Sequence, residues 1–164
     1  MHHLIDVKDV DGVNCLYLAC ITGNEKILGL LLAAGSDPLS SHLSDGTSPL
    51  AAAASAGHVK VVKRLMRLGC SPLTRSSGAN GGRGETALIA AAANGHLSVC
   101  RVLLSPRCWP AFSSLYDPGG SALELALEVC DCQGKTALQR ATQNGHYACS
   151  AWLRKLTEAA SEDE

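Results

Sequence analysis

Aromatic side chains and net charge are both scarce in this 164-residue chain. Phe, Trp and Tyr make up 4% of the residues, whereas apolar residues make up 46% and charged residues 18%. A core can therefore form, but it must be thin and built from closely approaching Ala- and Leu-rich helices. The formal net charge of −1 provides no general attraction to nucleic acid or acidic lipid, so we expect neither as a partner.

The chain also lacks the apolar runs typical of secretion or membrane insertion. Its opening, MHHLIDVKDV, contains neither an apolar h-region nor a small-residue cleavage site. No stretch approaches the roughly 18 apolar residues that a membrane span needs. Cys20, Cys100 and Cys149 fall on apolar helix faces, where free cysteine behaves as a small hydrophobe. We therefore expect free thiols in a reducing compartment, either cytoplasmic or nuclear.

Motifs of enzymes and nucleotide sites are missing. The Gly-rich stretch GANGGRGET lacks the Lys and the spacing of a phosphate-binding loop. No local signature joins a nucleophilic Cys or Ser to a base. An enzyme that uses the long segment 105–133 as an active-site loop remains an alternative, which rests only on the presence of that segment. We expect a non-enzymatic protein without a cofactor.

A metal- or thiol-linked regulatory protein is a second alternative, based on cysteine density. Four zinc-type ligands, Cys130, Cys132, His146 and Cys149, lie within 20 residues, but they lack the paired spacing of established zinc sites. His146 follows a Gly at the start of a helix, as His58 and His96 do. Because these three histidines belong to different repeated units, we expect a structural role for each and no bound metal.

A recurring glycine, two residues before a capping residue, divides the chain into repeated units. The pairs are Gly12/Asn14, Gly46/Ser48, Gly84/Thr86, Gly119/Ser121 and Gly134/Thr136, with glycine spacings of 34, 38, 35 and 15. An Asn, Ser or Thr side chain can accept a backbone N–H at a helix start. A second glycine then ends each short helix and precedes another helix; these are Gly23, Gly57, Gly95 and Gly145. A period near 34 predicts helix pairs that must stack to bury their apolar faces.

The repeated phrases resemble the ankyrin-repeat family. They read GVNCLYLACITGN, GTSPLAAAASAGH, GETALIAAAANGH and GKTALQRATQNGH, with second helices such as VVKRLMRLGCSP. The resemblance implies an all-α solenoid of stacked helix-turn-helix units with short β-hairpin or finger loops. The family's His is replaced by Tyr17, Ala51, Ile89 and Gln139.

The predicted organisation is one array over residues 1–156, followed by an acidic tail at 157–164. Four full repeats are expected at about 9–42, 43–80, 81–114 and 131–156. The segment 105–133 contains GGSALELALEVC, which predicts a half-repeat helix at about 119–130 or an extra helix where the fourth full unit docks. Three prolines before it predict an irregular loop, and SSGANGGRG at 76–84 predicts a flexible finger tip.

The resemblance also implies a scaffold that binds another protein through its concave face and finger loops, and a role as a targeting or regulatory fragment of a larger protein. We expect the chain to be monomeric. Matching the family motif places partner-facing residues around each Gly-x-Thr start and just before each Gly-His. They are Val10, Asp11, Val13, Ile21, Thr22, Ser44, Asp45, Thr47, Ser55, Arg83, Glu85, Asn94, Gln133, Lys135, Gln143 and Asn144.

Overall fold

A computed structural model of the chain describes residues 7–39, 43–76, 83–105 and 121–161, with side chains in the last range from 125 to 159. These residues form helices joined by turns, without a strand. The helices are α1 (Cys15–Ile21), α2 (Glu25–Ala33), α3 (Pro49–Ser55), α4 (Val59–Arg67), α5 (Ala87–Ala93), α6 (Leu97–Leu103), α7 (Ser121–Glu128), α8 (Ala137–Gln143) and α9 (Tyr147–Ser161).

The predicted caps begin the first helix of each full unit. The side chains of Asn14, Ser48, Thr86 and Thr136 each accept the backbone N–H three residues later. This satisfies one of the N–H groups that a helix start leaves without an intrahelical acceptor. The fifth predicted cap, Ser121, is instead the first residue within α7, so its position differs from that of the other four.

The predicted helix-ending glycines adopt the left-handed conformation. Gly23, Gly57, Gly95 and Gly145 have φ between +71° and +80°. The residue after each glycine donates its backbone N–H to a carbonyl inside the finished helix, as His58 does to Ala53. Two helices can therefore follow one another antiparallel with only a few residues between them.

The four helix pairs α1/α2, α3/α4, α5/α6 and α8/α9, here called units 1 to 4, stack side by side. Helix α3 packs between α1 and α5, and α8 packs directly on α5. The second helices form the other layer, where α4 contacts α6 and α6 contacts α9. The continuous core between the layers includes Leu16, Leu50, Leu65, Ile89 and Leu103, all fully buried. Buried alanines in the first helices permit the close approach of neighbouring units.

Helix α7 lies outside this succession of pairs, since it contacts α9. The loop predicted before it lies mainly outside the described residues, as do Gly119, the tip of the Gly-rich linker and the end of the acidic tail. Helix α9 continues to Ser161, past the predicted repeat end at residue 156. The proposed repeat boundaries stay a prediction.

Candidate functional site: the concave groove and the fingers

The fingers of units 1, 2 and 4 are five-residue turns that precede the first helix of each unit, and residues 83–85 are the described part of the third finger. In units 1, 2 and 4 the first residue of the turn donates its backbone N–H to the carbonyl of the fifth, at 3.0 Å. These turns are 9–13, 43–47 and 131–135, and each has a left-handed glycine at its fourth position. The fingers are therefore hydrogen-bonded turns and contain no β-strand in the part of the chain that is described.

Backbone hydrogen bonds join two pairs of neighbouring fingers, those of units 1 and 2 and those of units 3 and 4. Ser44 donates its N–H to the Asp11 carbonyl at 3.0 Å, and Cys132 donates to the Arg83 carbonyl at 2.9 Å. In unit 3 the linker end is tied to the finger, because Ser76 donates its N–H to the Glu85 carbonyl at 3.2 Å. The fingers of units 1 and 2, and those of units 3 and 4, are thus joined in pairs in a row beside the first helices.

A groove of about 220 Å³ lies between this row and helices α1, α3 and α5. Its floor is formed by small side chains of α3 and α5, including Ala51, Ala52 and Ala90. Six of the predicted partner-facing residues line it: Ile21, Asp45, Thr47, Ser55, Arg83 and Glu85. Stacking therefore brings together residues from three units that are far apart in the sequence.

The groove carries both signs of charge. The Arg83 side chain is 76% exposed, and its Nη1 lies 3.8 Å from Glu85 Oε1. The Glu85 side chain is only 20% exposed. Asp45 accepts the Thr47 N–H at 2.8 Å, so its carboxylate is held at the groove wall. Burial, followed by the Asp45 charge and the Cys20 thiol, raises the pKa of Tyr17 above its usual value of 10.0.

Tyr17, Ser76 and the floor alanines are groove residues that sequence reasoning did not include among the partner-facing positions. Tyr17 and Ala51 occupy the position where the ankyrin motif has His, so that replacement was the available signal.

Other predicted positions lie on the fingers outside the groove. Val10 is 95% exposed, and Asp11, Ser44 and Gln133 are also exposed, whereas Val13 and Lys135 are half-buried. Lys135 donates from Nζ to Gln143 Oε1 at 2.7 Å, which joins the fourth finger to the end of α8.

Three predicted positions at helix ends make hydrogen bonds that stabilise the fold. Thr22 donates its hydroxyl to the Leu18 carbonyl at 2.7 Å. Asn94 Nδ2 donates to Ser55 Oγ at 3.1 Å, and Asn144 Nδ2 donates to the Ala93 carbonyl at 2.7 Å. The two asparagine amides therefore link unit 3 to unit 2 and unit 4 to unit 3.

His58 and His96 join neighbouring units rather than cap their own helices. His58 Nε2 donates to the Ile21 carbonyl at 3.0 Å, and His96 Nε2 donates to the Ser55 carbonyl at 2.9 Å. A carbonyl can only accept, so Nε2 carries the hydrogen in both rings. Neither side chain makes a capping bond to its own helix.

A family model described as "Ankyrin repeats (3 copies)" matches residues 1–76 and again residues 74–163. The chain belongs to the ankyrin-repeat family. The comparison with curated proteins found no match. Members of this family generally mediate protein–protein interactions and are typically non-enzymatic. Of the described helices, none has the combined length and apolarity to cross a membrane.

The four side chains considered as zinc ligands do not lie together as a metal site in the described structure. They are Cys130, Cys132, His146 and Cys149. Among the described residues, no group of three or more His, Cys, Asp or Glu side chains can hold a metal ion. Cys149 is buried against Cys100 of the preceding unit, whereas Cys132 is exposed on the fourth finger. Burial raises the pKa of Cys20 and of Cys100 to about 12, so both are protonated at neutral pH.

The fourth finger of the array contains a buried ion pair. Asp131 has a fully buried carboxylate that accepts from the Arg140 guanidinium and from the backbone N–H groups of Gln133 and Lys135. Burial alone would raise the pKa of Asp131, but these hydrogen bonds outweigh it and hold the pKa below its usual value. This pair fixes the finger against α8.

Proposed function

We propose that this chain is a non-enzymatic interaction scaffold that binds a segment of another protein in the groove. One observation supports this most strongly: six groove-lining residues from three units converge, although they are spread from Ile21 to Glu85 in the sequence. A partner segment would meet a surface whose backbone is already held in place by the stacked units. Binding would therefore cost the receptor little conformational entropy.

The chemistry of the groove indicates what such a segment would carry. Asp45 and Glu85 favour a basic side chain, and the exposed Arg83 favours a carboxylate or a carbonyl. The alanine floor favours a small apolar side chain between these polar groups. We therefore propose a partner segment with a basic residue close to an apolar one. We also propose that the chain binds this segment as a monomer in a reducing compartment, either alone or as part of a larger protein.

The test is affinity capture from native cells with quantitative mass spectrometry. The bait is the complete chain or one of three groove variants: Asp45→Asn, Arg83→Glu or Glu85→Gln. Asp45→Asn keeps an oxygen that can accept the Thr47 N–H while it removes the charge. For a true groove partner, we expect recovery with Arg83→Glu to fall about tenfold or more, the loss typical of a central interface residue.

Arg67→Glu is the matched control, because it makes the same substitution at an exposed position on α4, outside the groove. A groove partner should be recovered equally with this variant and with the unmodified chain. If partner recovery survives all three groove substitutions, or if Arg67→Glu reduces it as much as Arg83→Glu does, the groove is not the binding surface.

A further inference from the structure

The outer side of unit 1 carries apolar side chains at positions that the later units bury. Ile27 on α2 is 46% exposed. The equivalent positions in units 2, 3 and 4 are Val61, Val99 and Cys149, which are exposed by 1%, 0% and 1%. Among the described residues no unit follows unit 4, and Cys149 lies against Cys100 of the preceding unit.

Helix α1 shows the same difference. Leu18 is 50% exposed, while its equivalents Ala52 and Ala90 are 3% and 4% exposed. Cys15 is exposed as well, whereas Ala137, its equivalent in unit 4, is 1% exposed. The outer side of unit 1 therefore has the apolar surface of an internal unit, without a neighbour among the described residues.

The opposite end of the array differs in chemistry. The position that is Cys20, Ala54 and Ala92 in units 1 to 3, all fully buried, is the exposed Thr142 in unit 4. Likewise Gln139 is exposed where unit 3 has the buried Ile89. The last unit thus presents polar side chains to solvent, as terminal capping repeats do, and the first unit does not.

The row of finger hydrogen bonds is open at the same place. Ser44 and Cys132 each donate a backbone N–H to the preceding finger. The equivalent residue of the first finger is Val10, which is 95% exposed. Among the described residues, no carbonyl accepts its N–H.

We propose that the outer face of unit 1, formed by α1, α2 and the 9–13 finger, is a stacking surface for one further helix pair of the same type. The α1–α3 and α3–α5 interfaces show what covers this face elsewhere in the array, and the new interface continues them. A second copy of this chain, stacked in the same direction, would offer the polar Gln139 and Thr142 side chains instead of an apolar face. This inference is independent of the partner proposed for the groove.

The test joins a copy of residues 43–74, the second unit, directly to Val7. This junction keeps the spacing from Gly69 of the added unit to Asp9 equal to that from Gly35 to Leu43. The rate at which N-ethylmaleimide labels Cys15 is measured by peptide mapping, with Cys132 as an exposed reference on the fourth finger. The complete chain and a chain that begins at Val7 serve as controls.

We expect the added unit to slow Cys15 labelling at least about tenfold relative to both controls, because a stacked thiol reacts only when the unit opens. Cys132 labelling should not change. Ile27→Lys should be tolerated in the control chains, where the position is half exposed, and should restore fast Cys15 labelling in the extended chain.

Three results would overturn the proposal. The first is Cys15 labelling that is equally fast with and without the added unit. The second is a circular dichroism spectrum that shows the added unit unfolded while the rest of the chain is folded. The third is light scattering that shows the complete chain to be a dimer with Cys15 protected, which would assign this face to a second copy.

Discussion

Replacement of Gly57 by alanine probes the contact that joins units 2 and 3. Gly57 has φ of +80°, and a Cβ there would lie 2.7 Å from His96 Nδ1. The histidine ring would have to move, and with it the 2.9 Å hydrogen bond to the Ser55 carbonyl. The backbone conformation alone costs an alanine about 1 kcal/mol or more, and loss of the hydrogen bond adds about 1 kcal/mol.

Gly145→Ala is the matched control for this prediction. Gly145 has φ of +76°, and a Cβ there would meet no atom within 4 Å. The two substitutions share the backbone cost, so the difference between them isolates displacement of the histidine. We expect Gly57→Ala to destabilise the chain by about 1–2 kcal/mol more than Gly145→Ala. Urea unfolding followed by circular dichroism measures both.

A double-mutant cycle with His96→Ala completes the test. Once the ring is absent, Gly57→Ala should cost only its backbone strain, so the two changes should be less than additive by the same amount, about 1–2 kcal/mol. Equal costs for Gly57→Ala and Gly145→Ala, or full additivity with His96→Ala, would refute the conclusion that packing of the His96 ring against Gly57 joins units 2 and 3.

Two further predictions concern buried groups. At pH 8 in the folded chain, Cys20 and Cys100 should react with maleimide far more slowly than the exposed Cys15, because burial raises their pKa values to about 12; equal rates would contradict their burial. Asp131→Asn should destabilise the chain by about 3 kcal/mol at neutral pH, since it leaves Arg140 without its charged partner. The folded pKa of Asp131 is lowered, so the pair stabilises the fold above the unfolded value of about 3.9, and that stability is lost as the pH falls through the folded value. Unfolding curves from pH 7 to pH 2 should therefore show a smaller loss for Asp131→Asn than for the unmodified chain; parallel losses would be inconsistent with this assignment.

The repeat architecture was predictable from local chemistry. A capping side chain such as Ser48 or Thr86 and a left-handed glycine such as Gly57 act within a few residues, and both recur with a regular period. These signals predicted stacked helix pairs, and the resemblance of the repeated phrases implied an all-α ankyrin solenoid, which the structure and the family match confirm.

Contacts between units were less accessible to sequence reasoning. His96 follows its glycine as a recurring turn would require, but the acceptor of its hydrogen bond is Ser55, 41 residues earlier. Asn94 is predicted to bind a partner, which stays a prediction, and its amide also donates to unit 2 and to its own helix. Such contacts depend on the distance between stacked units, which no local pattern specifies.

The groove was predictable only in part, because it too depends on how the units stack. The finger residues Asp45, Arg83 and Glu85 were identified from the family motif, and stacking brings them to one groove. Tyr17 and the alanine floor were missed, because their role depends on which side of the first helices faces the fingers. Whether these residues bind a partner stays a prediction.

Hydrogen exchange of the chain with and without its captured partner tests the proposed groove most directly. We predict slower exchange at fingers 43–47 and 83–85 and in α1, α3 and α5, with no change in α4, where Arg67 lies outside the groove. Protection confined to α4 and the other second helices, with unchanged exchange in both fingers, would contradict the account.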